Sequence, residues 1–138
     1  MIDEQFLQIP ADVKELARVR RFIQEAAIVL GAGDAAVEDL VLAVDEAVTN
    51  IIVHGYNGKQ GKVEIEASHS GDTIQVRLRD HAPIFDPTQV PDPDLDAPLE
   101  QRPLGGMGIF LMKNTLDGIS HRVTEQGGNE LTLIKKIV

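Results

Sequence analysis

A chain of 138 residues, of which 43% are hydrophobic and 25% charged, has the size and composition of one soluble globular domain with its own core. Its net charge of −9 argues against binding to a nucleic-acid backbone and favours basic or mixed-charge protein partners, and the absence of cysteine excludes disulfides and thiol chemistry. Because no apolar run approaches the roughly 20 residues that cross a bilayer, and the acidic start from Met1 to Glu4 lacks a signal-peptide core, we expect a cytoplasmic protein without membrane contact.

The first half of the chain predicts an edge strand followed by two helices. Residues 4–9 alternate weakly before a proline, which suits an edge strand. Apolar side chains then recur at helical spacing from the capping residue Asp12 to about Leu30, where a glycine can end the helix. Asp34 can cap a second helix, whose apolar stripe continues to about His54.

A hairpin and a long irregular loop follow. Residues 62–68 and 73–79 alternate between apolar and polar side chains, and Gly71-Asp72 lies in the turn between them. Residues 81–104 break this pattern and hold six of the seven prolines. Because a loop of this length in a compact domain is usually either a functional lid or disordered, we expect a lid here.

The chain closes with a third helix and a second hairpin. The helix is expected from Ile109 to about Leu116, and the strands at residues 119–124 and 129–138. This order, without an internal repeat, predicts a single domain over residues 1–138. Its fold class is α+β, a two-layer α/β sandwich with three helices on one face of a mixed, mostly antiparallel sheet.

Three polar side chains interrupt the apolar second helix at four-residue intervals, namely Glu46, Asn50 and His54. Four residues advance a helix by about 6 Å, so the three side chains share one face. An ionisable group beside a core needs a partner, and a metal ion or a ligand would supply one. Glu46 can act as a general base and Asn50 as a ligand of Mg²⁺, unless this face is polar only for solubility. His54 near the helix end is equally a capping residue or a ligand.

Two further features have the chemistry of a nucleotide site. Gly105, Gly106 and Gly108 precede the third helix, where free N–H groups and the helix dipole favour an anion. Asp80 ends the predicted hairpin just before the lid, and its carboxylate can accept a hydrogen bond from a ligand amino group such as that of adenine. Each feature also has a structural interpretation, because glycine turns before helices and aspartates at strand ends are common.

Taken together and in order, these segments resemble the GHKL ATPase/kinase superfamily. Glu46-Ala-Val-Thr-Asn50 resembles its N box, Asp80-His-Ala-Pro-Ile-Phe-Asp-Pro87 the next box, and the run from Arg102 to Met112 the glycine box. The segments 48–56, 85–87, 105–109 and 128–131 look like the small stand-alone branch, the anti-sigma factor serine/threonine kinases. The resemblance covers nearly the whole chain and implies the Bergerat, histidine-kinase-like ATPase fold.

The resemblance also implies roles for individual residues. Glu46 would activate the attacking hydroxyl or water, Asn50 would hold Mg²⁺ against the phosphates, and Asp80 would bind the adenine amino group. The residues expected to meet the phosphates or to support the adenine pocket are Gly105, Gly106, Met107, Gly108 and Thr132. Arg102 would meet either the phosphates or the partner when the lid closes. One departure is Ala82, which stands where the family commonly has glycine and adds a methyl group beside the adenine.

The function implied is ATP-dependent and Mg²⁺-dependent phosphorylation of a small anti-anti-sigma antagonist protein by an anti-sigma regulator. The same protein would bind a sigma factor when the antagonist is phosphorylated, and such regulators often work as homodimers. The alternative is a nucleotide-binding interaction module that sequesters a partner without phosphotransfer. A sensor histidine kinase domain is disfavoured, because the sequence offers no phospho-accepting helical hairpin.

Overall fold

The computed structural model describes residues 4–94, 96 and 106–137, and this part of the chain holds three α-helices and one five-stranded sheet. The strands are β1 (Glu4–Pro10), β2 (Lys62–Ser70), β3 (Thr73–Asp80), β4 (Gly118–Val123) and β5 (Asn129–Lys136). The helices are α1 (Leu16–Val29), α2 (Asp34–Thr49) and α3 (Gly106–Thr115). No helix in these ranges has the length and hydropathy that a bilayer crossing requires.

The strands follow the order β1-β2-β3-β5-β4, which leaves β1 at one edge as predicted. All four pairings between these strands are antiparallel, so the parallel pairing implied by a mixed sheet is not found among them. Gly71 has a φ of +60° in the turn between β2 and β3, a conformation that glycine adopts without steric cost. The α+β sandwich predicted from the sequence is confirmed.

One face of the sheet packs against the helices and forms the core. Val63, Ile65 and Ala67 of β2 are buried, while the residues between them lie on the other face. That period-2 alternation is what places every second side chain against the buried faces of the helices. Burying each large aliphatic side chain contributes about 1.5–3 kcal/mol, so the alternation itself specifies which face is covered. The open face carries ion pairs, such as Arg77 with Glu66.

The two predicted helix caps have different outcomes. Asp12 accepts a hydrogen bond from the Lys14 amide at 2.9 Å and begins a short 3₁₀ turn that leads into α1. Asp34 was expected to cap α2, and this expectation was wrong. Gly33 is the extended N-cap residue and Asp34 is the first residue of the helix, where it makes no capping hydrogen bond. Its carboxylate still lies in the first turn, where a negative charge suits the helix dipole.

The second helix does not remain an α-helix to His54. It widens after Thr49 into a π-helical segment over Asn50–Tyr56, and Asn57, the residue that follows, has a φ of +51°. Such wide turns are rare and frequently accompany functional sites. The change of winding begins at Asn50, so the even row of three polar side chains expected on one α-helical face is interrupted there.

The loop predicted to be a lid is partly described. Residues 81–94 lie against the domain, and Asp86 caps a short 3₁₀ turn, Pro87–Gln89, by accepting from the Thr88 amide at 2.9 Å. Lys113 of α3 donates to the Val90 carbonyl at 2.7 Å and so ties this part of the loop to the helix. Residues 95 and 97–104 lie outside the described residues. The third helix begins at Gly106, three residues earlier than predicted.

Candidate functional site

A cavity of about 340 Å³ lies between the π-helical segment, the first part of the loop and the ends of β3, β4 and β5. Most of its lining is apolar, and the polar residues that reach it are Asn50, His54, Asp80, His121 and Asn129. A largely apolar cavity of this size with a few converging polar groups is typical of a small-molecule site.

Asp80 is the buried carboxylate of this cavity, with an exposed fraction of 4%. Its Oδ1 accepts hydrogen bonds from the Ala82 amide and from Asn129 Nδ2, each at 2.9 Å. Its Oδ2 has no donor among the described residues. Burial raises the pKa of Asp80, while the hydrogen bonds from Asn129 and Ala82 act in the opposite direction. The free Oδ2 is therefore an acceptor held in an apolar site.

Ala82 is the one departure from the family pattern, and its surroundings are described by the structure. Its side chain is buried and lines the cavity. On the opposite side stands Gly55, where a Cβ atom would lie 3.1 Å from the Ala82 methyl carbon. A side chain at position 55 would crowd that methyl group, so the absence of one at Gly55 leaves room for Ala82.

Glu46 lies one turn before Asn50, beside the start of α3. Its carboxylate occupies the space next to Gly108, where an added Cβ would overlap Glu46 Oε2. The side chain is half-buried and has no hydrogen-bond partner within the described residues. The first amides of α3, those of Gly106, Met107 and Gly108, belong to the turn whose N–H groups have no partner within the helix. Glu46 thus stands at the end of α3 that favours an anion.

The remaining predicted residues divide into three groups. Asn50 and His54 line the cavity. Thr132 does not, because it pairs with Arg77 on the open face of the sheet while its neighbour Leu131 faces the cavity. Its predicted support of the pocket is therefore wrong as a direct contact. Arg102 and Gly105 lie outside the described residues.

Two cavity residues escaped the sequence reasoning, Asn129 and His121. His121 Nε2 and Asn129 Oδ1 are 2.7 Å apart, and the His121 side chain is only 6% exposed. Asn129 had been noted only as part of the run from Gly128 to Leu131. A usable signal was present: Asp80 comes at the end of one predicted strand and Asn129 begins another, and antiparallel pairing of the two strands would bring these residues to the same edge of the sheet.

The comparison with known families decides the fold family. Residues 9–135 match the histidine kinase-like ATPase domain. The chain belongs to this family. The resemblance inferred from the N box, the box that begins at Asp80 and the glycine box is thereby confirmed.

Curated relatives of this histidine kinase-like ATPase are named serine-protein kinase RsbW. The protein from Listeria monocytogenes is 30% identical over 124 residues, which make up 86% of this chain and 79% of the relative. The protein from Bacillus cereus is 28% identical over 117 residues, or 82% of this chain and 73% of the relative. The predicted enzyme class, a serine/threonine protein kinase, is confirmed by these relatives.

A solved structure shares the fold. The structure of the RsbU and RsbW domains of Rv1364c from Mycobacterium tuberculosis superposes with a TM-score of 0.68 at 16% identity. The match covers 99% of this ATPase domain and 32% of the longer chain. At this identity the likeness supports the histidine kinase-like fold and nothing finer.

Proposed function

We propose that this protein is a Mg²⁺-dependent and ATP-dependent serine/threonine kinase of the anti-sigma type. It phosphorylates a small anti-anti-sigma antagonist and binds a sigma factor in partner switching. The observation that carries the proposal is the free Oδ2 of buried Asp80 in an apolar cavity, with Glu46 beside the first turn of α3.

The cavity suits an adenine base. Apolar side chains supply most of the lining and would contact the faces of the ring, whose transfer from water is favourable. The free Oδ2 of Asp80 would accept a hydrogen bond from the exocyclic amino group. A base with a keto oxygen at that position would bring two acceptors together and leave both buried without a donor.

The phosphates would lie toward the start of α3. The amides of Gly106, Met107 and Gly108 offer donors there, and Gly105 and Arg102 precede them in the chain. Asn50 fits Mg²⁺ through its amide oxygen, because Mg²⁺ takes few protein ligands and completes its shell with water and phosphate oxygens. When bound, Mg²⁺ neutralises charge that develops on the phosphates.

Glu46 would serve as the general base. The carboxylate accepts the proton of the substrate hydroxyl as that oxygen attacks the γ-phosphorus, the bond from phosphorus to the β,γ-bridging oxygen breaks, and ADP leaves. A half-buried carboxylate without a hydrogen-bond partner in the described residues keeps its oxygens available for that proton. The protein otherwise contributes position and charge neutralisation.

The test is transfer of labelled phosphate from ATP to an antagonist-type protein of the same genome. Glu46→Ala should reduce the rate by about 10²–10⁴-fold, the usual contribution of a general base, and leave Mg·ATP affinity within about twofold. Glu38→Ala, an exposed glutamate of the same helix, should transfer at the wild-type rate. An active Glu46→Ala variant would refute the base assignment.

The partner proposal draws on the names of the relatives and on charge. The RsbW relatives are serine-protein kinases, and a chain with a net charge of −9 suits protein partners with basic or mixed surfaces. A second copy of the chain in a homodimer and a cytoplasmic location complete this proposal. Pull-down of a sigma factor that weakens when unphosphorylated antagonist is added would support it.

The alternative is an interaction module without phosphotransfer, and Ala82 favours it by placing a methyl group in the cavity. The same labelled assay separates the two. Nucleotide binding by the wild-type protein without transfer to any antagonist-type protein would favour the module.

A further inference from the structure

We propose that Asn129 is a positioning residue that leaves Asp80 one free carboxylate oxygen for the nucleobase and fixes the cavity wall beside it. The wall is the backbone of residues 82–85. This inference rests on the proposed function, since it concerns the group expected to bind adenine. Asn129 itself does not need to contact the base, because its amide is occupied by the protein.

The orientation of the Asn129 amide follows from its neighbours. Its Nδ2 faces three acceptors, namely Asp80 Oδ1 at 2.9 Å and the carbonyl oxygens of Ala82 and Pro83 at 3.2 Å each. Its Oδ1 accepts from the Phe85 amide at 3.1 Å. A flipped amide would set its oxygen against three acceptors, so the network allows one orientation.

This orientation determines which oxygen of Asp80 is free. The Asn129 amide and the Ala82 amide both donate to Oδ1, and the carboxylate is therefore held at one end. Oδ2 is left as the acceptor that faces a ligand. Without the Asn129 donor, the carboxylate would lose a hydrogen bond in a buried site and would no longer be fixed in rotation.

The same amide fixes the wall. It bonds the carbonyl groups of residues 82 and 83 and the amide of Phe85, whose side chain lines the cavity together with that of Ile84. One side chain on β5 thus links the base acceptor to the start of the loop. Gly128 precedes it, and a Cβ atom there would overlap the Asp80 carbonyl oxygen, so the backbones of β5 and β3 meet closely at this point.

His121 completes the network from β4. Because Asn129 Oδ1 is an acceptor, His121 Nε2 must carry the hydrogen in their 2.7 Å contact. His121 Nδ1 lies 4.0 Å from Asp86 Oδ2 at the far side. The ionisable side chains around the Asn129 amide or across the cavity from it are His54, Asp80, His81, Asp86 and His121.

The first experiment replaces the amide with a carboxyl of nearly the same shape. In Asn129→Asp the new carboxyl would lie beside Asp80 Oδ1, and two carboxyl groups so close share a proton. At alkaline pH we expect Mg·ATP affinity to fall about tenfold or more, and the preference for ATP over ITP, which lacks the amino group, to shrink. On mild acidification a proton on the new carboxyl restores a donor to Asp80, and part of the affinity returns.

Calorimetric titration with Mg·ATP and Mg·ITP over a pH series measures both quantities, and thermal unfolding of each apo variant checks the fold. Asn114→Asp, on the exposed side of α3, is the matched control and should match the wild type at every pH. Wild-type affinity at alkaline pH in Asn129→Asp would overturn the proposal. So would an equal loss at every pH with an unchanged preference for ATP.

A second pair of variants keeps the test decisive if Asn129→Asp does not fold. His121→Phe removes the donor to Asn129 Oδ1, and we expect several-fold weaker ATP binding with a smaller preference over ITP. His121→Gln retains an N–H donor and should restore most of both. Equal behaviour of the two variants would refute the network.

The two proposals fail in distinguishable ways. If the wild-type protein binds neither nucleotide, the proposed function is wrong and this inference falls with it. If the wild-type protein binds ATP and prefers it over ITP while the variants of Asn129 and His121 do the same, only the inference is wrong.

Discussion

The ionised side chain of Asp80 is proposed to favour nucleotide binding, but its burial lowers the stability of the folded protein. Its carboxylate is buried in an apolar cavity with one oxygen free, and burial raises its pKa above the ordinary value. The folded state therefore holds this proton more strongly than the unfolded chain. The stabilisation from the protonated group is present below the unfolded pKa and is lost as the pH rises through the folded pKa. Above its folded pKa, ionised Asp80 destabilises the nucleotide-free protein.

Acidification should consequently act in opposite directions on binding and on the Asp80 contribution to stability. As the pH falls through the raised pKa of Asp80, the acceptor becomes protonated and ATP affinity should decrease. The decrease should begin at a higher pH than an ordinary aspartate would allow. Calorimetric titration at constant ionic strength measures it. A binding constant that stays flat until other carboxylates titrate would contradict the role of Asp80.

Gly108, on the other side of the site, is a second residue whose effects on stability and on activity differ. It lies inside α3, where alanine is ordinarily better than glycine by about 0.5–1 kcal/mol. The Glu46 carboxylate, however, fills the space that a Cβ atom would take. That carboxylate is the flexible end of a side chain and can move aside, so the substitution would displace the proposed base rather than break the fold.

Gly108→Ala should therefore leave the free energy of unfolding unchanged or raise it by up to about 1 kcal/mol, while the phosphotransfer rate falls. Chemical denaturation and the labelled-phosphate assay measure the two effects. Gly33→Ala is the control, since a Cβ there would meet nothing closer than 3.9 Å. Transfer at the wild-type rate by Gly108→Ala would show that the Glu46 position is unimportant.

Among the elements, the π-helical segment matters most for the site. It ends at Tyr56, whose hydroxyl donates to the Lys62 carbonyl at 2.7 Å and accepts from the His81 amide at 2.8 Å. The ring lies against Gly61, where a Cβ atom would overlap it. One buried phenol thus ties the segment that carries Asn50 to the start of β2 and to the residue after Asp80.

Tyr56→Phe removes only the hydroxyl and leaves both backbone partners without it. We expect a loss of about 1–3 kcal/mol in the free energy of unfolding, the usual result of leaving buried polar groups unpaired. Weaker ATP binding should accompany it, because His81 directly follows Asp80. Urea unfolding with and without Mg·ATP measures both quantities. An unfolding free energy equal to that of the wild type would exclude the proposed link.

At the scale of the whole molecule, the alternation of side chains carried most of the prediction. Period-2 segments gave the strand ends within two residues, and the helical stripe gave two helices. Thr132 failed because the face of a strand residue depends on parity: its neighbours in the ladder are Arg77 and Ser120, on the open side. The role given to Thr132 was transferred from the family by sequence position alone, which does not say which face of the strand the residue occupies.

The rest of the site depends on contacts between distant segments. Asn129 meets Asp80 because β5 pairs with β3 in one register, across 49 positions of sequence. No local propensity states that register, and strand order must be known first. The π-helical winding after Thr49 likewise has no signal in the apolar pattern, which continues smoothly through Ile51 and Ile52.

The open face of the sheet responds to acid in the opposite sense from Asp80. Glu130 lies between Arg122 and Arg79, and hydrogen bonds from both hold its pKa below the ordinary value. Its stabilisation is present above the unfolded pKa and is lost as the pH falls through the folded pKa. Acidification should therefore remove the stabilisation by Glu130 while it adds to the contribution of Asp80.

The most direct test of the account is the ratio of ATP to ITP affinity in the wild-type protein and in Asp80→Asn, measured by calorimetry with Mg²⁺ present. ITP has a keto oxygen where ATP has the six-amino group, and its N1 carries a hydrogen where N1 of adenine is an acceptor, so the ratio reports on the edge of the base assigned to Asp80 Oδ2. We expect the wild type to prefer ATP by about tenfold or more. We expect Asp80→Asn to lose or reverse that preference, because its amide nitrogen would face the base as a donor.

Asp72→Asn, an exposed aspartate in the hairpin turn, should keep the wild-type ratio. A strong ATP preference that is kept in Asp72→Asn and collapses in Asp80→Asn is the expected result. An Asp80→Asn variant that binds ATP and ITP in the wild-type ratio would contradict the assignment of this cavity as the adenine site.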